Sequence, residues 1–252
     1  FFFKQKTAYE IVDCDWSSDV CSSDLATLEL VKIGVRNLNR TGVPTELLTT
    51  DLESIVSDTS IDLIIEVIGG IEPARTLILQ AIKNKKSVVT ANKALLAKHG
   101  AEIFEAADQN GVDIYYEAAV AGAIPILRPM RESLVGDHVQ RVMGIVNGTT
   151  NYILTKMDET GAAFGAALKE AQALGYAEAD PTFDIEGVDA AHKATIMCAM
   201  AFGVPVQFDK AYVEGITQLS AIDIRYAEQL GYRIKLLGIA RRVAAGRELR
   251  RV

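Results

Sequence analysis

Asp189 and Lys193 stand four residues apart in the run from Val188 to Phe202, one helical turn from each other. On a helix that spacing puts a carboxylate and an ammonium on one face. From Ala194 to Phe202 the only polar residue is Thr195. A helix apolar all round is a buried helix, so two charges at its start are costly unless paired or used. Just upstream lie Glu178, Asp180 and Asp184, so these three acids, Asp189 and Lys193 all fall within 16 residues. Such a set suits a small polar substrate carrying an ammonium group, and a lysine that moves a proton. General acid work needs a proton donor within hydrogen-bond reach, and a half-buried lysine is one such group. A purely structural ion pair steadying the helix start is the plainer alternative.

The elements that must position these groups fall into two patterns. Leu28 to Val35 alternates and reads as a strand. Asp51 to Val56 opens a short helix, with Asp51 and Glu53 in its first turn. Residues 61–70 form a near-continuous apolar run ending in Gly69 and Gly70, as expected of a buried parallel strand. A helix follows over 72–83, with Pro73 in its first turn. Ser87 to Thr90 is another buried strand, Lys93 to Asn110 a helix stopped by Gly111, and Val112 to Ala118 a further strand. Strand and helix alternate at βαβ spacing, so this half is a parallel α/β sheet of Rossmann type with helices on both faces.

After Pro125 the pattern changes to α+β. The spacing predicts a helix near 126–134 and a strand over 139–146. The turn from Asn147 to Asn151 then leads into a helix to about Asp158. A helix over 164–174 is closed by Gly175, the Asp189/Lys193 helix ends at Gly203 and Pro205, and 233–241 reads as a strand. The expected domains are 26–124 and 125–252.

Residues 1–25 have no helical or strand period. They hold the only Trp and two of the three cysteines. They resemble the translation of a sequencing-adapter read and are read as non-native. The chain carries 26 basic and 33 acidic residues, a net charge of −7. Two lysines and five acids in the first 25 residues account for −3, leaving −4 for the rest. That balance argues against nucleic acid or a membrane surface as partner, and no run approaches the ~18 apolar residues of a span. Past residue 25 the one cysteine is Cys198, so a disulfide framework is excluded and a reducing, cytoplasmic compartment is expected. His99, His138 and His192 share no metal-ligand spacing.

Five stretches carry a resemblance. They are Glu66 to Gly70, Thr90 to Lys93, Tyr116 to Gly122, Gly144 to Asn151, and Gly175 to Glu178 continuing through Lys193. In this order and spacing the chain resembles the homoserine dehydrogenases from about Leu28 onward. The resemblance implies NAD(P)-dependent interconversion of L-homoserine and L-aspartate 4-semialdehyde, on the route to threonine and methionine, by a homodimer. It makes Lys193 the proton donor, oriented by Asp189. Gly175, Glu178 and Asp184 become substrate contacts, and Lys93 lies between cofactor and substrate. Ile68, Gly69, Thr90 and Asn92 sit on the cofactor edge, at the carboxyl ends of strands where α/β ligands bind.

Glu117, with the backbone of Val120, Gly122 and Ile124, resembles the family's monovalent-cation site. Oxygen ligands of this kind suit Na⁺, and Ala123 stands where many relatives have glycine. A carboxylate capping a turn is the plainer reading of Glu117. The acidic residue that would hold a ribose 2′-OH is not evident, whereas Arg36 and Arg40 offer cations near that position, which favours NADP over NAD. Two departures from the pattern are expected to matter. The glycine-rich phosphate loop is missing, and the chain stops before the family's closing segment, so it reads as an internal fragment. Two other readings are a related oxidoreductase acting on another amino-acid aldehyde and a non-catalytic dimerisation or ligand-binding fragment.

Overall fold

Each expected helix past residue 50 lies close to a residue type that begins or ends it. In the computed structural model, which describes residues 29–39 and 42–242, α1 (Leu52–Ser57) starts at Asp51, whose carboxylate accepts from Ser54 N at 3.0 Å. Helix α2 (Ala74–Lys83) buries Ala74, Leu77, Ile78, Ala81 and Ile82, the i, i+3, i+4, i+7, i+8 stripe of a helix lying on a sheet. Helix α3 (Lys93–Asn110) is capped by Asn92, which accepts from Leu95 N, and is ended by Gly111 in the left-handed conformation. The foreign reading of residues 1–25 and the candidate Arg40 lie outside the described residues.

Contacts divide the chain into two units, one of residues up to 95 with 101–116, the other of 96–100 and 117 onward. In the first, β3 (Leu63–Glu66), β4 (Ser87–Thr90) and β5 (Ile114–Tyr115) form a parallel sheet in that order. Its core joins Ile64 and Val88 to Ile55, Val56, Leu77, Ile78, Ile82, Leu95 and Ile103. Two short strands, β1 (Ile33–Gly34) and β2 (Leu48–Thr49), pair in parallel as a separate ladder. The strand expected over 28–35 is thus only Ile33–Gly34 within the described residues. Leu30 is half exposed, and among the described residues no strand pairs with the chain there.

Strand β4 has the expected bounds, Ser87–Thr90, but the remaining strands are shorter than their apolar runs. The run at 112–118 is strand only at Ile114–Tyr115, then turns into a 3₁₀ segment at Glu117–Ala119. In the second unit β6 (Arg141–Gly144) pairs antiparallel with β7 (Gly238–Arg241), so the runs expected over 139–146 and 233–241 are trimmed to the register they share. The helix expected near 126–134 takes a π register at Pro129–Ser133. Pro129 has no N–H to give an α-helical bond, and Leu134 N instead reaches Pro129 O at 3.0 Å.

The second unit holds α4 (Gly148–Thr160), α5 (Phe164–Ala173), α6 (Thr182–Ile185), α7 (Val188–Phe202) and α8 (Ala221–Gln229). Ile153, Leu154 and Met157 of α4 pack with Ala167, Ala171, Ala177, Ile216 and Ile224. Helix α8 was not expected. Its signal is legible nonetheless: Ser220 and Asp223 form a capping box, each bonding the other's backbone N–H. Helix α7 departs from its all-buried reading. Asp189 to His192 and Thr195 to Met197 are buried, but Cys198 to Phe202 are only partly so.

Gly215 fixes how the chain returns to α6. A Cβ there would come within 2.6 Å of Glu186 Cα, while the next residue, Ile216, donates from N to Ile185 O at 2.8 Å. Gly215→Ala is therefore expected to lower the unfolding free energy by about 1–3 kcal/mol through overpacking, read as an earlier denaturant midpoint. An unchanged midpoint would show that the 213–216 segment can shift freely.

Candidate active site

Lys193 and Asp189 face each other across one turn of α7, with Nζ 2.8 Å from Oδ2. The aspartate side chain is 6% exposed and the lysine side chain 18%. Lys193 Nζ also donates to Val146 O at 2.7 Å, a carbonyl in the link between β6 and α4. An ammonium has three N–H donors. With one on Asp189 and one on Val146, one is left for a molecule beside it.

Asn147 completes the arrangement. It caps α4 by accepting from Thr150 N at 2.9 Å and from the Thr150 hydroxyl at 2.7 Å. Its Nδ2 donates to Asp189 Oδ2 at 2.9 Å and to Asp184 Oδ1 at 2.7 Å. One buried amide thus ties two carboxylates and a helix start together. Asn151, one turn on, donates to Asn147 O and Leu236 O and accepts from Leu236 N, holding the cap from behind.

These groups line a cavity of about 580 Å³, within the range of small-molecule sites. Asp184, Asp189 and Lys193 form one wall, so two carboxylates face one ammonium and the wall carries a net negative charge. Asn147, Gly148, Thr149, Gly175, Tyr152 and Tyr176 complete the lining, the two tyrosine rings 4.9 Å apart. Tyr152 OH donates to Glu170 at 3.0 Å, and Glu170 pairs with Lys156 at 2.8 Å. Burial, then the Glu170 bond, push the Tyr152 hydroxyl above its ordinary pKa, so it stays neutral.

Gly175, Asp184, Asp189 and Lys193 are therefore brought together as expected from the sequence. Glu178 is not: it is exposed and outside the cavity lining, and its backbone carbonyl accepts from Gln172 Nε2. Asp180 binds Thr182 N and hydroxyl as a turn former, and those bonds lower its pKa. His192 is buried between the rings of Phe183 and Phe208, 5.2 and 4.2 Å away, a packing role. Sequence reasoning missed Asn147, Tyr152 and Tyr176. The helix-capping Asn before Gly148 was the available signal for the first.

In the first unit the carboxyl edge of β3 and β4 forms a second constellation. Gly69 and Gly70 are exposed with φ of +77° and +73°, and a Cβ on either would meet nothing within 4 Å. That open, backbone-lined edge at strand ends fits a nicotinamide cofactor, with Ile68 and half-buried Lys93 beside it. Thr90 and Asn92, expected as cofactor contacts, are buried. Thr90 Oγ1 donates to Glu66 Oε2 at 2.6 Å and accepts from Asn92 N. Asn92 Nδ2 donates to Gly70 O at 2.7 Å. Their side chains hold the edge together.

Glu117 accepts from Leu127 N at 2.9 Å and Arg128 N at 2.7 Å, which caps the turn that follows. The loop between them runs through Ala121 and Ala123 at φ of +50° and +65°. This left-handed backbone is the reason glycine suits position 123. Arg36 is exposed. Among the described residues no three His, Cys, Asp or Glu side chains are grouped to hold a metal ion, and no helix is long and apolar enough to cross a membrane.

Two family models match the chain in succession. A family model described as homoserine dehydrogenase matches residues 125–252. One described as homoserine dehydrogenase, NAD binding domain, matches 12–117, a span that begins within the stretch read as foreign. The homoserine dehydrogenase of Pseudomonas aeruginosa is 52% identical over 224 residues, 88% of this chain and 52% of that protein. The crystal structure of a homoserine dehydrogenase from Thiobacillus denitrificans is 58% identical with a TM-score of 0.82, covering 86% of this chain and 51% of that one. A hyperthermophilic archaeal homoserine dehydrogenase solved in complex with NADPH is 29% identical with a TM-score of 0.65, over 76% and 56% of the two chains. The chain spans about half the length of these relatives. With a parallel-sheet NAD-binding domain followed by the matching α+β domain, the chain belongs to the homoserine dehydrogenase family.

Proposed function

We propose that this chain forms the cofactor edge and substrate pocket of an enzyme interconverting L-homoserine and L-aspartate 4-semialdehyde. The observation that carries the reading is the Asp189–Lys193 pair, joined through Asn147 to Asp184, on the wall of a cavity sized for a small molecule. The nicotinamide cofactor, when bound, supplies or takes up the hydride. Ile68, Gly69 and Lys93 would hold it, and Thr90 and Asn92 keep that edge in shape. NADPH in the archaeal relative and Arg36 both favour NADP.

Lys193 protonates the aldehyde oxygen in the reducing direction and takes the proton back in oxidation. Asp189 keeps the ammonium aimed at the cavity. Asp184 receives the substrate ammonium, with Glu178 reaching in from the neighbouring loop. Charge-assisted bonds of this kind are the strong ones, and the net negative wall selects for a cationic amino group. Glu117 with the carbonyls of Val120, Gly122 and Ile124 would hold Na⁺ as a structural ion. We further assign the enzyme to the cytoplasm as a homodimer serving threonine and methionine synthesis.

The test is homoserine-dependent reduction of NADP⁺ and NAD⁺ by the full-length enzyme carrying this chain. Turnover with homoserine, and more efficient use of NADP⁺, are expected. Turnover only with another amino alcohol would overturn the substrate, and a clear NAD⁺ preference would overturn the cofactor assignment.

Asn147→Asp separates the cap from the bridge. Aspartate caps a helix about as well as asparagine, so α4 should survive. It has no N–H to offer Asp184 or Asp189, and it adds a third carboxylate to the wall. The expected result is a rise in KM for homoserine of about tenfold, the scale of one lost charge-assisted bond, together with a lower melting temperature, because three carboxylates then crowd one buried ammonium. An unchanged KM would show that the amide bridge does not order the pocket.

A further inference from the structure

Glu66 ends β3 with no exposed surface. A buried carboxylate is costly unless its lone pairs are filled. Here Oε1 accepts from Ile68 N at 2.7 Å and Gly69 N at 3.2 Å, and Oε2 accepts from the Thr90 hydroxyl at 2.6 Å. These donors come from the turn that leaves β3 and from the last residue of β4. Thr90 Oγ1 passes the link to Asn92 N, Asn92 Nδ2 returns it to Gly70 O, and Asn92 Oδ1 accepts from Leu95 N in the first turn of α3. The bonds close a ring through Glu66, the 68–70 turn, Asn92 and Thr90. Gly69 and Gly70 both lie at positive φ, where glycine is least constrained by its own backbone. Something other than local preference must hold that turn to one shape.

We propose that Glu66 is a positioning residue for the cofactor. Its buried carboxylate sets the backbone of Ile68 to Gly70 and, through Thr90 and Asn92, the start of α3 that carries Lys93. The proposal rests on the reading of this edge as the nicotinamide side of the site. Its ligand is thus a nicotinamide dinucleotide, met by backbone that Glu66 holds still without touching it. A pre-set binding edge gives tighter binding than one that must be ordered on arrival.

The experiment uses the full-length enzyme and NADPH titrated by its fluorescence. Glu66→Ala removes the acceptors of the Ile68 and Gly69 amides and of the Thr90 hydroxyl and is expected to raise Kd for NADPH about 10- to 100-fold. KM for NADP⁺ should rise with it, and KM for homoserine should stay within about twofold. Exchange of the Ile68 and Gly69 amide hydrogens should quicken in the unliganded protein. Glu66→Gln keeps an acceptor for those two amides and should bind within about threefold of the parent. Should the alanine variant fail to fold, Thr90→Val, which cuts the ring at one point, is expected to raise Kd roughly three- to tenfold. A folded Glu66→Ala or Thr90→Val protein with the parent's Kd and unchanged amide exchange would overturn the proposal. Failure of the parent itself to bind NADPH or NADH would instead overturn the cofactor reading beneath it, and the proposal with it.

Discussion

Lys193→Ala in the full-length enzyme is expected to lower kcat by about 10²–10⁴-fold, the usual share of general acid–base catalysis. Nζ is the one ammonium on the cavity wall, and its two mapped bonds, to Asp189 Oδ2 and Val146 O, leave a donor for the substrate oxygen. KM for homoserine should change far less, because Asp184 still receives the substrate ammonium. A small added amine should restore part of the rate by standing in for the lost group, which a merely structural lysine would not allow. Near-normal kcat with only a lower melting temperature would make Asp189 and Lys193 a structural pair. The proton would then have to come from Lys93 or water.

Asp189→Ala should be the most destabilising single change in the pocket. The carboxylate is 4% exposed as a residue and accepts from both Lys193 and Asn147. Its loss strands an ammonium and an amide at the start of a helix whose first half is buried. Breaking a buried pair by removing one partner costs about 3–5 kcal/mol. The lower end is expected here, because the cavity admits water to Lys193. Asp189→Asn keeps the shape and an acceptor, and should lose only about 1–2 kcal/mol while still lowering kcat, since the charge that holds the ammonium is gone. Equal unfolding midpoints for both variants would show that packing, not the charge, is what Asp189 contributes.

Glu178→Ala is the informative contrast. Its residue lies outside the cavity lining, on the loop just beyond the rim residue Tyr176. A rise in KM for homoserine would mean that this loop brings the carboxylate inward when substrate arrives. An unaffected KM would leave Asp184 as the ammonium contact.

The helices were legible because their ends are marked within three or four residues: Asp51 and Pro73 at starts, Gly111, Gly175 and Gly203 at stops. The pairing of Asp189 with Lys193 was legible for the same reason, since the helical repeat alone places residues four apart on one face. Strand type and parallel order also followed from the alternation of short apolar runs with helices. Helix α8 was equally marked by Ser220 and Asp223, and there the signal was present but unread.

Strand length was not legible. A strand exists only where a partner supplies its ladder, and the register of Arg141 to Gly144 with Gly238 to Arg241 is set about a hundred residues away in the chain. Glu66 shows the same limit: its residue type is a local fact, but its three donors are brought to it by the fold. Thr90 and Asn92 read as ligand contacts because they follow a strand, yet packing turned both side chains inward to Glu66 and Gly70. Asn147 read as a turn residue, yet its amide lies on Asp189, 42 residues on. The amino-acid order by itself determined the helices, the family and the lysine–aspartate pair, because these depend on neighbours along the chain. Only the tertiary structure decided which buried polar group answers which, because a buried donor must find its acceptor wherever packing places one.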